Sequence, residues 1–337
     1  MSGEVRVALL GLGTVGSAVV RLAVATAPRL RARGAAVVVD AALVRDRSRV
    51  RDVSSYVPFV TDSADAVFAR EHDVIVEALG GIDPAAGFVA RALERGTPVV
   101  TANKSLIAAH GDRLTALARA RGTRLRFEAS VVAGVPFLHA LSSRPLAAEV
   151  SGVEAILNGT SNFILTCMAE DGCSFDTALA RAQALGYAEP DPANDVSGRD
   201  AAEKLAVLVR ELGVGRVSPG DIETAPLTSV GRADLDEARV RGGSIKPIAR
   251  ARRTSRGIEA LVGPAFLPGS HPLARVHGVL NGVLLHSRYA GPLFYSGHGA
   301  GPDVTAATIL DDVVAVATAG DLRRRSAGRQ RCHTFRA

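Results

Sequence analysis

Cysteine is scarce in this sequence, and its pattern argues against two classes of protein. Only three of the 337 residues are cysteine, Cys167, Cys173 and Cys332, and none has the CxxC spacing of a zinc or redox site. An odd, scattered set favours neither a disulfide framework nor a zinc centre. We therefore expect a protein of the reducing cytoplasm.

Long apolar runs are also missing. No run reaches the roughly 18 residues that a membrane-spanning helix requires. The N-terminal residues MSGEVR lack the cationic start and apolar core of a signal peptide. We expect no membrane partner.

Aromatic residues make up only 4% of the chain, which matters for interpreting its net charge of +6. Residues 321–337 hold six arginines and one acid, so most of the excess charge lies there. A basic segment without an aromatic-rich surface is more typical of a solvated tail than of a nucleic-acid site. We predict a disordered tail at 319–337 and no nucleic-acid partner.

Lysine is rare as well. The chain has 40 lysines and arginines, and only Lys104, Lys204 and Lys246 are lysine. A lysine can lose its proton near neutral pH, and its compact ammonium fits into a small site. The larger guanidinium of arginine stays charged and does neither. A retained lysine therefore hints at a role that arginine cannot fill, and the candidate functional lysines are Lys204 and Lys104.

The N-terminal part predicts a dinucleotide site. A buried-strand pattern at 5–10 leads into GLGTVG and then into a helical run at 17–30. Glycines in this context allow a tight turn and a close approach of the backbone to a pyrophosphate, although a merely tight turn is the alternative. The candidate cofactor residues of this turn are Gly11, Leu12, Gly13, Thr14, Val15 and Gly16.

The second strand, at 36–44, ends on residues that do not decide between NAD and NADP as the cofactor. An acid here would bind the ribose of NAD, and an arginine would accommodate the phosphate of NADP. Both types occur, as Asp46 between Arg45 and Arg47. The arginines favour NADP slightly, and Arg45 is the candidate ligand.

Further alternation of strands and helices, at 73–79, 84–95, 98–104 and 105–121, predicts a parallel sheet. Ligands bind at the carboxyl ends of such strands, and Lys104 is predicted to lie at one of them. A helix-flanking charge is the alternative for Lys104. Ser130 has no histidine in a nucleophile-elbow context, which argues against a hydrolase triad.

The pattern changes after about residue 151. Helices are predicted at 163–170 and 174–185 and through 212, followed by strands at 244–253, 257–267, 278–286 and 292–295, a flexible glycine loop at 297–301, and a helix at 305–318. The predicted fold class is α/β, with a Rossmann-type parallel sheet and a second α+β domain of mixed or antiparallel sheet. The predicted domains are 1–127, onto which the helix at 305–318 packs back, and 128–304 for substrate binding, catalysis and dimerisation.

Residues 186–205, GYAEPDPANDVSGRDAAEKL, hold the candidate acid/base pair. Asp200 and Lys204 are four residues apart, so on a helix they share a face and can hydrogen-bond to each other or to a substrate. A surface ion pair worth roughly 0.2–0.5 kcal/mol is the alternative.

Taken together, these motifs resemble homoserine dehydrogenase over nearly the whole chain. They are GLGTVG, EALGG, VVTANK, FEASVVAGVP, LNGTSNFIL, the 186–205 stretch and GHGAG with the following VTAA. The resemblance implies reversible reduction of aspartate 4-semialdehyde to L-homoserine by NADPH or NADH, within aspartate-family amino-acid biosynthesis. It also implies a homodimer.

The resemblance implies roles for individual residues. Lys204 would donate the proton to the aldehyde oxygen, Asp200 would be its partner, and Lys104 would sit between nicotinamide and substrate. Glu189 and Asp195 carry negative charge suited to the ammonium group of an amino-acid substrate. The other residues expected near substrate are Gly159, Thr160, Gly186 and Tyr187, and Gly301 is expected to touch the cofactor.

The family also binds a structural monovalent cation. Here its ligands would be the Glu128 carboxylate and the backbone carbonyls of Val131, Ala133 and Val135, and sodium is the expected ion.

Two departures from the family pattern stand out. His298 replaces a more frequent proline, and the chain carries its arginine-rich segment where many members have a regulatory ACT domain. We expect no threonine inhibition on this chain. Two alternatives remain open: a paralogue acting on a related amino-acid-derived aldehyde or alcohol, and a catalytically silent dinucleotide-binding sensor.

Overall fold

The structure is a computed structural model that describes residues 4–49 and 52–319. The chain divides into two compact units. One combines Met1–Ser130 with Gly301–Ala337, and the other is Val131–Ala300. The predicted boundary at 127/128 lies close to this division, and the predicted tail at 319–337 falls, except for its first residue, outside the described residues.

The first unit is built on a six-stranded parallel sheet. Its strands are β1 Glu4–Leu10, β2 Ala36–Leu43, β3 Phe59–Thr61, β4 Val74–Glu77, β5 Val99–Thr101 and β6 Leu125–Arg126. They lie in the order β3-β2-β1-β4-β5-β6, and every pair is parallel. This is the order of the Rossmann fold, so the predicted class of this unit is confirmed.

Helices cover both faces of this sheet. They are α1 Thr14–Ala25, α2 Ala27–Ala32, α3 Ala64–Phe68, α4 Ala85–Glu94 and α5 Lys104–Ala120, together with α12 Pro302–Thr318, which follows the second unit in the chain. Residues of α1 and α12 share one apolar cluster with the sheet, and residues of α4 and α5 share the other. The strands are therefore apolar on both faces, which produces the continuous hydrophobic runs seen in the sequence.

The second unit is built on a six-stranded mixed sheet. Its strands are β7 Val150–Ile156, β8 Glu223–Thr224, β9 Gly243–Thr254, β10 Gly257–Pro268, β11 Leu280–Ser287 and β12 Gly291–His298. The order is β12-β11-β7-β9-β10-β8, with antiparallel pairs throughout except β10 with β8. The predicted mixed sheet is confirmed.

The helices of the second unit are α6 Leu138–Ser142, α7 Gly159–Glu170, α8 Phe175–Ala184, α9 Ala193–Val196, α10 Arg199–Glu211 and α11 Arg232–Val240. Residues of α7, α8 and α11 bury one apolar cluster, and a second lies among β7, β9, β11 and the turn Pro272–Arg275. Asn158 caps α7 by accepting a hydrogen bond from the Ser161 amide at 2.7 Å. The sheet and these helices fix the segment that holds Asp200 and Lys204.

Several predicted boundaries are wrong. The run at 17–30 is two helices that meet at Thr26, and the helix expected to continue from the 186–205 stretch is interrupted at Gly198, which has φ +83°. Lys104 is the first residue of α5 and not the end of a strand. Gly297 and His298 belong to β12, where they pair with Asn281 and Leu280, so the predicted glycine loop begins later.

Helix α11 had no prediction at all. Its N-cap is Gly231, whose amide donates to the Asp234 carboxylate at 2.8 Å. It is only nine residues long and buries only Leu235 and Ala238, so it offers few apolar positions from which a helix could be predicted. Among the described residues, no helix combines the length and the apolar character needed to cross a membrane.

Candidate functional site

The glycine turn at 11–16 lies between β1 and α1. Gly11 has φ +104°, and a Cβ there would lie 2.6 Å from the Ala78 carbonyl oxygen. A Cβ at Gly16 would lie 2.0 Å from the Gly11 carbonyl oxygen. Both glycines are therefore required by the fold of the turn itself.

Gly13 is different. Its φ of −82° and ψ of −155° suit any residue, and a Cβ there would meet no described atom within 4 Å. As the N-cap residue of α1 it also has no side chain with which to cap the helix. Neither the backbone nor the packing of the described residues requires this glycine, so it fits a turn that a phosphate approaches closely at a helix N-terminus.

The end of β2 carries the candidate ribose ligands. Arg45, Asp46 and Arg47 are all exposed, and Asp46 accepts hydrogen bonds from the amide and hydroxyl of Ser48 at 2.8 and 2.6 Å. Since β2 is the parallel neighbour of β1, its carboxyl end lies at the same edge of the sheet as the glycine turn. In the same unit, Gly301 is the N-cap of α12 and has φ +124°.

Glu77, at the end of β4, organises the turn before Lys104. Its fully buried carboxylate accepts hydrogen bonds from the Leu79 amide at 2.8 Å, the Thr101 hydroxyl at 2.5 Å and the Asn103 side chain at 3.3 Å. Asn103 in turn caps α5, and Lys104 is its first, half-buried residue. Glu77 was not among the predicted site residues. The signal that could have found it is an acid in an otherwise apolar strand end.

In the second unit, Lys204 and Asp200 lie one turn apart on α10. The Lys204 Nζ is 2.9 Å from the Asp200 Oδ2 and donates to the Leu157 carbonyl oxygen at 2.8 Å. The Asp200 side chain is 7% exposed and that of Lys204 13%. A surface ion pair is thereby excluded: this pair is desolvated, and its ammonium is held at a fixed position.

Asn158 joins the pair to a second acid. Its Nδ2 donates to the Asp195 Oδ1 at 2.7 Å and to the Asp200 Oδ2 at 2.9 Å. The structure therefore brings Asp195, Asp200 and Lys204 together, and we refer to these three with Asn158 as the Lys204 cluster. Asn158 was missed as a site residue, although it stands in the quoted LNGTSNFIL motif.

The N-terminal turn of α7 lies beside this cluster. Ser161 donates through its hydroxyl to the Asp195 carbonyl oxygen at 3.0 Å, and Thr160 donates to the Tyr187 carbonyl oxygen at 2.6 Å. A Cβ at Gly159 would lie 2.6 Å from the Val279 carbonyl oxygen. The 186–205 segment is thus tied to α7 at two points.

Glu189 and Gly186 occupy the outer part of the same segment. The Glu189 side chain is exposed, and its backbone carbonyl accepts from Gln183 at 3.2 Å. Gly186 has φ +74°, and the partly exposed ring of Tyr187 packs edge-on against Phe163 with centroids 5.1 Å apart. No described contact joins the Glu189 carboxylate to the Lys204 cluster.

The candidate cation ligands fall on both sides of the division between the units. In the first unit, Glu128 is 8% exposed, and its amide donates to the Asp312 carboxylate at 3.3 Å. Burial, with the Glu128 charge as the second cause, raises the pKa of Asp312 to about 7. Two buried acids so close together suit a cation, which would offset their mutual repulsion.

In the second unit, the loop with the other three candidates is fixed by its backbone. The Ala133 amide donates to the Gly299 carbonyl at 3.1 Å, and the Val135 amide donates to the Val132 carbonyl at 2.9 Å. Val131 is buried. Within the described ranges, no three His, Cys, Asp or Glu side chains form a metal-binding group.

Comparison with known proteins gives one family for both units. The family model described as "Homoserine dehydrogenase, NAD binding domain" matches residues 11–128, and the model described as "Homoserine dehydrogenase" matches residues 136–314. The homoserine dehydrogenase of Mycobacterium tuberculosis strain H37Rv is 40% identical over 320 residues, which cover 93% of this chain and 72% of that protein.

Solved structures agree. The crystal structure of a homoserine dehydrogenase from Thiobacillus denitrificans matches with a TM-score of 0.87 and 38% identity, covering 94% of this chain and 73% of that one. A hyperthermophilic archaeal homoserine dehydrogenase in complex with NADPH matches with a TM-score of 0.76 and 27% identity, covering 93% and 97%. The chain therefore belongs to the homoserine dehydrogenase family, whose members are oxidoreductases that act on a CH–OH group.

Proposed function

We propose that this chain interconverts aspartate 4-semialdehyde and L-homoserine, with Lys204 as the group that gives a proton to the substrate oxygen. The observation that carries the proposal is the fixed, desolvated ammonium of Lys204 between the Asp200 carboxylate and the Leu157 carbonyl. When bound, the nicotinamide supplies or accepts the hydride. The protein must then stabilise the negative charge that develops on the substrate oxygen.

An ammonium suits this task because it both stabilises an alkoxide and supplies a proton. Asp200 orients the Lys204 side chain through the 2.9 Å contact. Asn158 holds the Asp200 carboxylate in place. This carboxylate therefore has two partners, Asn158 and Lys204, in position before substrate binds. In the reverse direction, Lys204 takes the hydroxyl proton of homoserine back.

Substrate recognition is assigned to the acids and polar turns of the same unit. Asp195 and Glu189 would bind the ammonium group of the amino-acid substrate. Gly159, Thr160, Gly186 and Tyr187 would form the rest of the pocket. The internal hydrogen bonds of Thr160 and Asp195 support this role, since they fix the position of the segment.

The cofactor is a nicotinamide dinucleotide, and we assign its pyrophosphate to the glycine turn with Gly13 as the residue of closest approach. Leu12, Thr14, Val15 and Gly301 would contact the same cofactor, and Lys104 would lie near its nicotinamide. Arg45 favours NADPH over NADH, because an arginine at the end of this strand accommodates the 2′-phosphate of NADPH.

We also propose a sodium ion and a homodimer. The ion would be held by the Glu128 carboxylate and by the carbonyls of Val131, Ala133 and Val135. Its charge would stabilise the ionised form of Asp312.

An assay of the purified chain tests the reaction. We expect L-homoserine to reduce NADP⁺, followed by the near-ultraviolet absorbance of the product, and NAD⁺ to be used less efficiently. Two analogues serve as controls: the alcohol without the amino group and the alcohol without the carboxylate should each react far more slowly. Equal rates for either analogue would favour a paralogous substrate, and no reaction in either direction would favour a silent sensor.

A further inference from the structure

Lys246 is the third lysine of this arginine-rich chain, and the proposed reaction does not use it. It lies on β9 in the second unit with 3% of its surface exposed. Its Nζ donates to the Val276 carbonyl oxygen at 2.7 Å. Among the described residues the Val276 carbonyl oxygen is the one acceptor of its Nζ, so two of its three N–H groups remain without a protein acceptor.

A cavity of about 380 Å³ opens beside this lysine. The first residues of β9, 243–246, line it. They do not pair with β7, whose ladder with β9 includes only Ala249–Arg252, and this leaves room for the cavity. A volume of this size holds a small organic molecule, given that one water takes up about 30 Å³ of liquid. The cavity is therefore large enough for a ligand that contacts Lys246.

Ser244 supplies a second donor. It stands two residues before Lys246, hence on the same face of the strand, and it also lines the cavity. Its Oγ is buried and has no hydrogen-bond partner in the described part of the chain. A buried hydroxyl without a partner costs stability, and a ligand in the cavity would recover that cost once rotation about χ1 turns the Ser244 hydroxyl toward it.

The charges around the cavity leave a positive excess. Its lining holds the acids Glu170, Asp171 and Asp236 and the cations Arg232, Arg239 and Lys246. Glu170 pairs with His277 at 2.9 Å, and Asp236 pairs with Arg232 at 2.9 Å. Asp171 pairs at 2.5 Å with Arg181, which does not itself line the cavity. With Arg181 counted, four lysine and arginine cations thus face three carboxylates, so a ligand that fits this excess brings a negative charge.

Apolar side chains form the remaining wall. Leu165, Leu235 and Ile245 line the same space. We propose that this cavity binds a small aliphatic carboxylate, whose oxygens accept from Lys246 and Ser244 and whose short chain packs on the three apolar residues. The proposed site is separate from the Lys204 cluster, shares no residue with it, and stands whether or not the proposed reaction is correct.

The charge state of Lys246 supports this site and gives it a pH signature. Burial lowers the pKa of Lys246 to about 8, and the Glu170 charge opposes this in part. A bound carboxylate favours the ammonium form, so binding near pH 8 takes up a proton, and affinity falls as pH rises above about 8. The other ionisable groups that line the cavity are Asp171, His277, Arg232, Asp236 and Arg239.

Calorimetric titration of the full chain with butyrate at neutral pH tests the proposal. Lys246→Met should weaken binding by at least about tenfold, because a charged hydrogen-bond donor is lost, and Ser244→Ala should weaken it several-fold. Both variants should keep the wild-type kcat for homoserine. Lys204→Met is the matched control and should bind butyrate as the wild type does.

Three results would overturn the proposal. The first is wild-type affinity for butyrate in both Ser244→Ala and Lys246→Met. If Lys246→Met does not fold, wild-type affinity in Ser244→Ala is sufficient. The second is loss of binding in Lys204→Met, which would place butyrate in the substrate site. The third is equal competition by sulfate, which would show a general anion site. Uptake of protons on binding at pH 8, seen in buffers of different ionisation enthalpy, is the supporting result.

Discussion

At the scale of the residue, the pair of Asp200 and Lys204 is the clearest gain over the sequence. Helical spacing alone could not separate a catalytic pair from a surface ion pair, since both need the same four-residue interval. Burial decides between them, together with two contacts that no spacing encodes: Lys204 with the Leu157 carbonyl, and Asn158 with Asp200. Both depend on tertiary packing of α10 against β7, whose end is followed by Leu157 and Asn158.

Asp200→Asn tests the orienting role. The variant keeps the size of the side chain but loses the charge that holds the ammonium of Lys204. We expect kcat/KM for homoserine to fall by about 10–100-fold, as for other partners that orient a catalytic group. The dissociation constant of NADPH, measured by fluorescence, should stay within twofold. A normal kcat/KM in a folded variant would remove Asp200 from the site.

Asp312 gives a pH prediction for stability. Its pKa of about 7 lies above the ordinary value of 3.8, so between these pH values the folded state keeps a proton that the unfolded state has lost. Its contribution to stability therefore declines as pH rises from about 4 to 7. Asp312→Asn should match the wild type near pH 4.5 and exceed it at pH 7.5, by a few kcal/mol at most at roughly 1.4 kcal/mol per pKa unit.

The measurement is the thermal midpoint of both proteins across that range, in a buffer free of sodium and potassium. Such a buffer matters because a cation at Glu128 would itself favour ionised Asp312. A constant difference between the two proteins at every pH would contradict the prediction. Adding sodium should then reduce the difference at pH 7.5.

At the scale of the element, the glycine turn shows that one motif contains two kinds of glycine. Gly11 and Gly16 are required by backbone atoms within 3 Å of their missing Cβ, whereas Gly13 has open space around it. The sequence predicted the turn and its helix but could not assign a reason to each glycine. That assignment depends on where the β4 turn passes, which places the Ala78 carbonyl against Gly11.

Gly13→Ala separates binding from folding. We expect its thermal midpoint to match the wild type within about a degree, because the new methyl group meets no protein atom. Its affinity for NADPH should fall by about tenfold or more, because that methyl group occupies the space of the pyrophosphate. Gly87→Ala, on α4 with equally open surroundings, is the matched control for NADPH affinity, which should not change, while alanine within this helix should raise the thermal midpoint slightly.

Gly16→Ala is the opposite case. It should lose several degrees of thermal midpoint without any ligand, since its Cβ would overlap the Gly11 carbonyl. A Gly13→Ala variant that binds NADPH normally would mean that the cofactor does not approach this turn closely.

At the scale of the whole molecule, the parallel sheet and its helices were predictable because strand and helix alternate over short connections. The mixed sheet was predictable from its long strands. Missing from those predictions were α11, whose nine residues bury only Leu235 and Ala238, and the interruption of the helices at Thr26 and Gly198. The extension of β12 to His298 was not predictable either, because glycines stand on both sides of His298. Gly297 and His298 belong to the strand only through their pairing with β11.

The residues of the proposed site also separate into those that the sequence could predict and those that it could not. Lys204 and Asp200 could be selected from composition and spacing, and family resemblance gave them roles. Glu77 and Asn158 could not, because each acts by holding another residue in place through contacts 20 or more positions distant in the chain. Such supporting residues have no local pattern of their own.

The central claim is that the Lys204 ammonium gives the proton to the substrate oxygen. The most direct test is steady-state reduction of aspartate 4-semialdehyde by NADPH in Lys204→Ala, with Lys246→Ala as the matched lysine control. We expect kcat to fall by about 10²–10⁴-fold in the first variant, with the NADPH dissociation constant unchanged, and to be normal in the second. Near-wild-type turnover in folded Lys204→Ala would contradict the assignment.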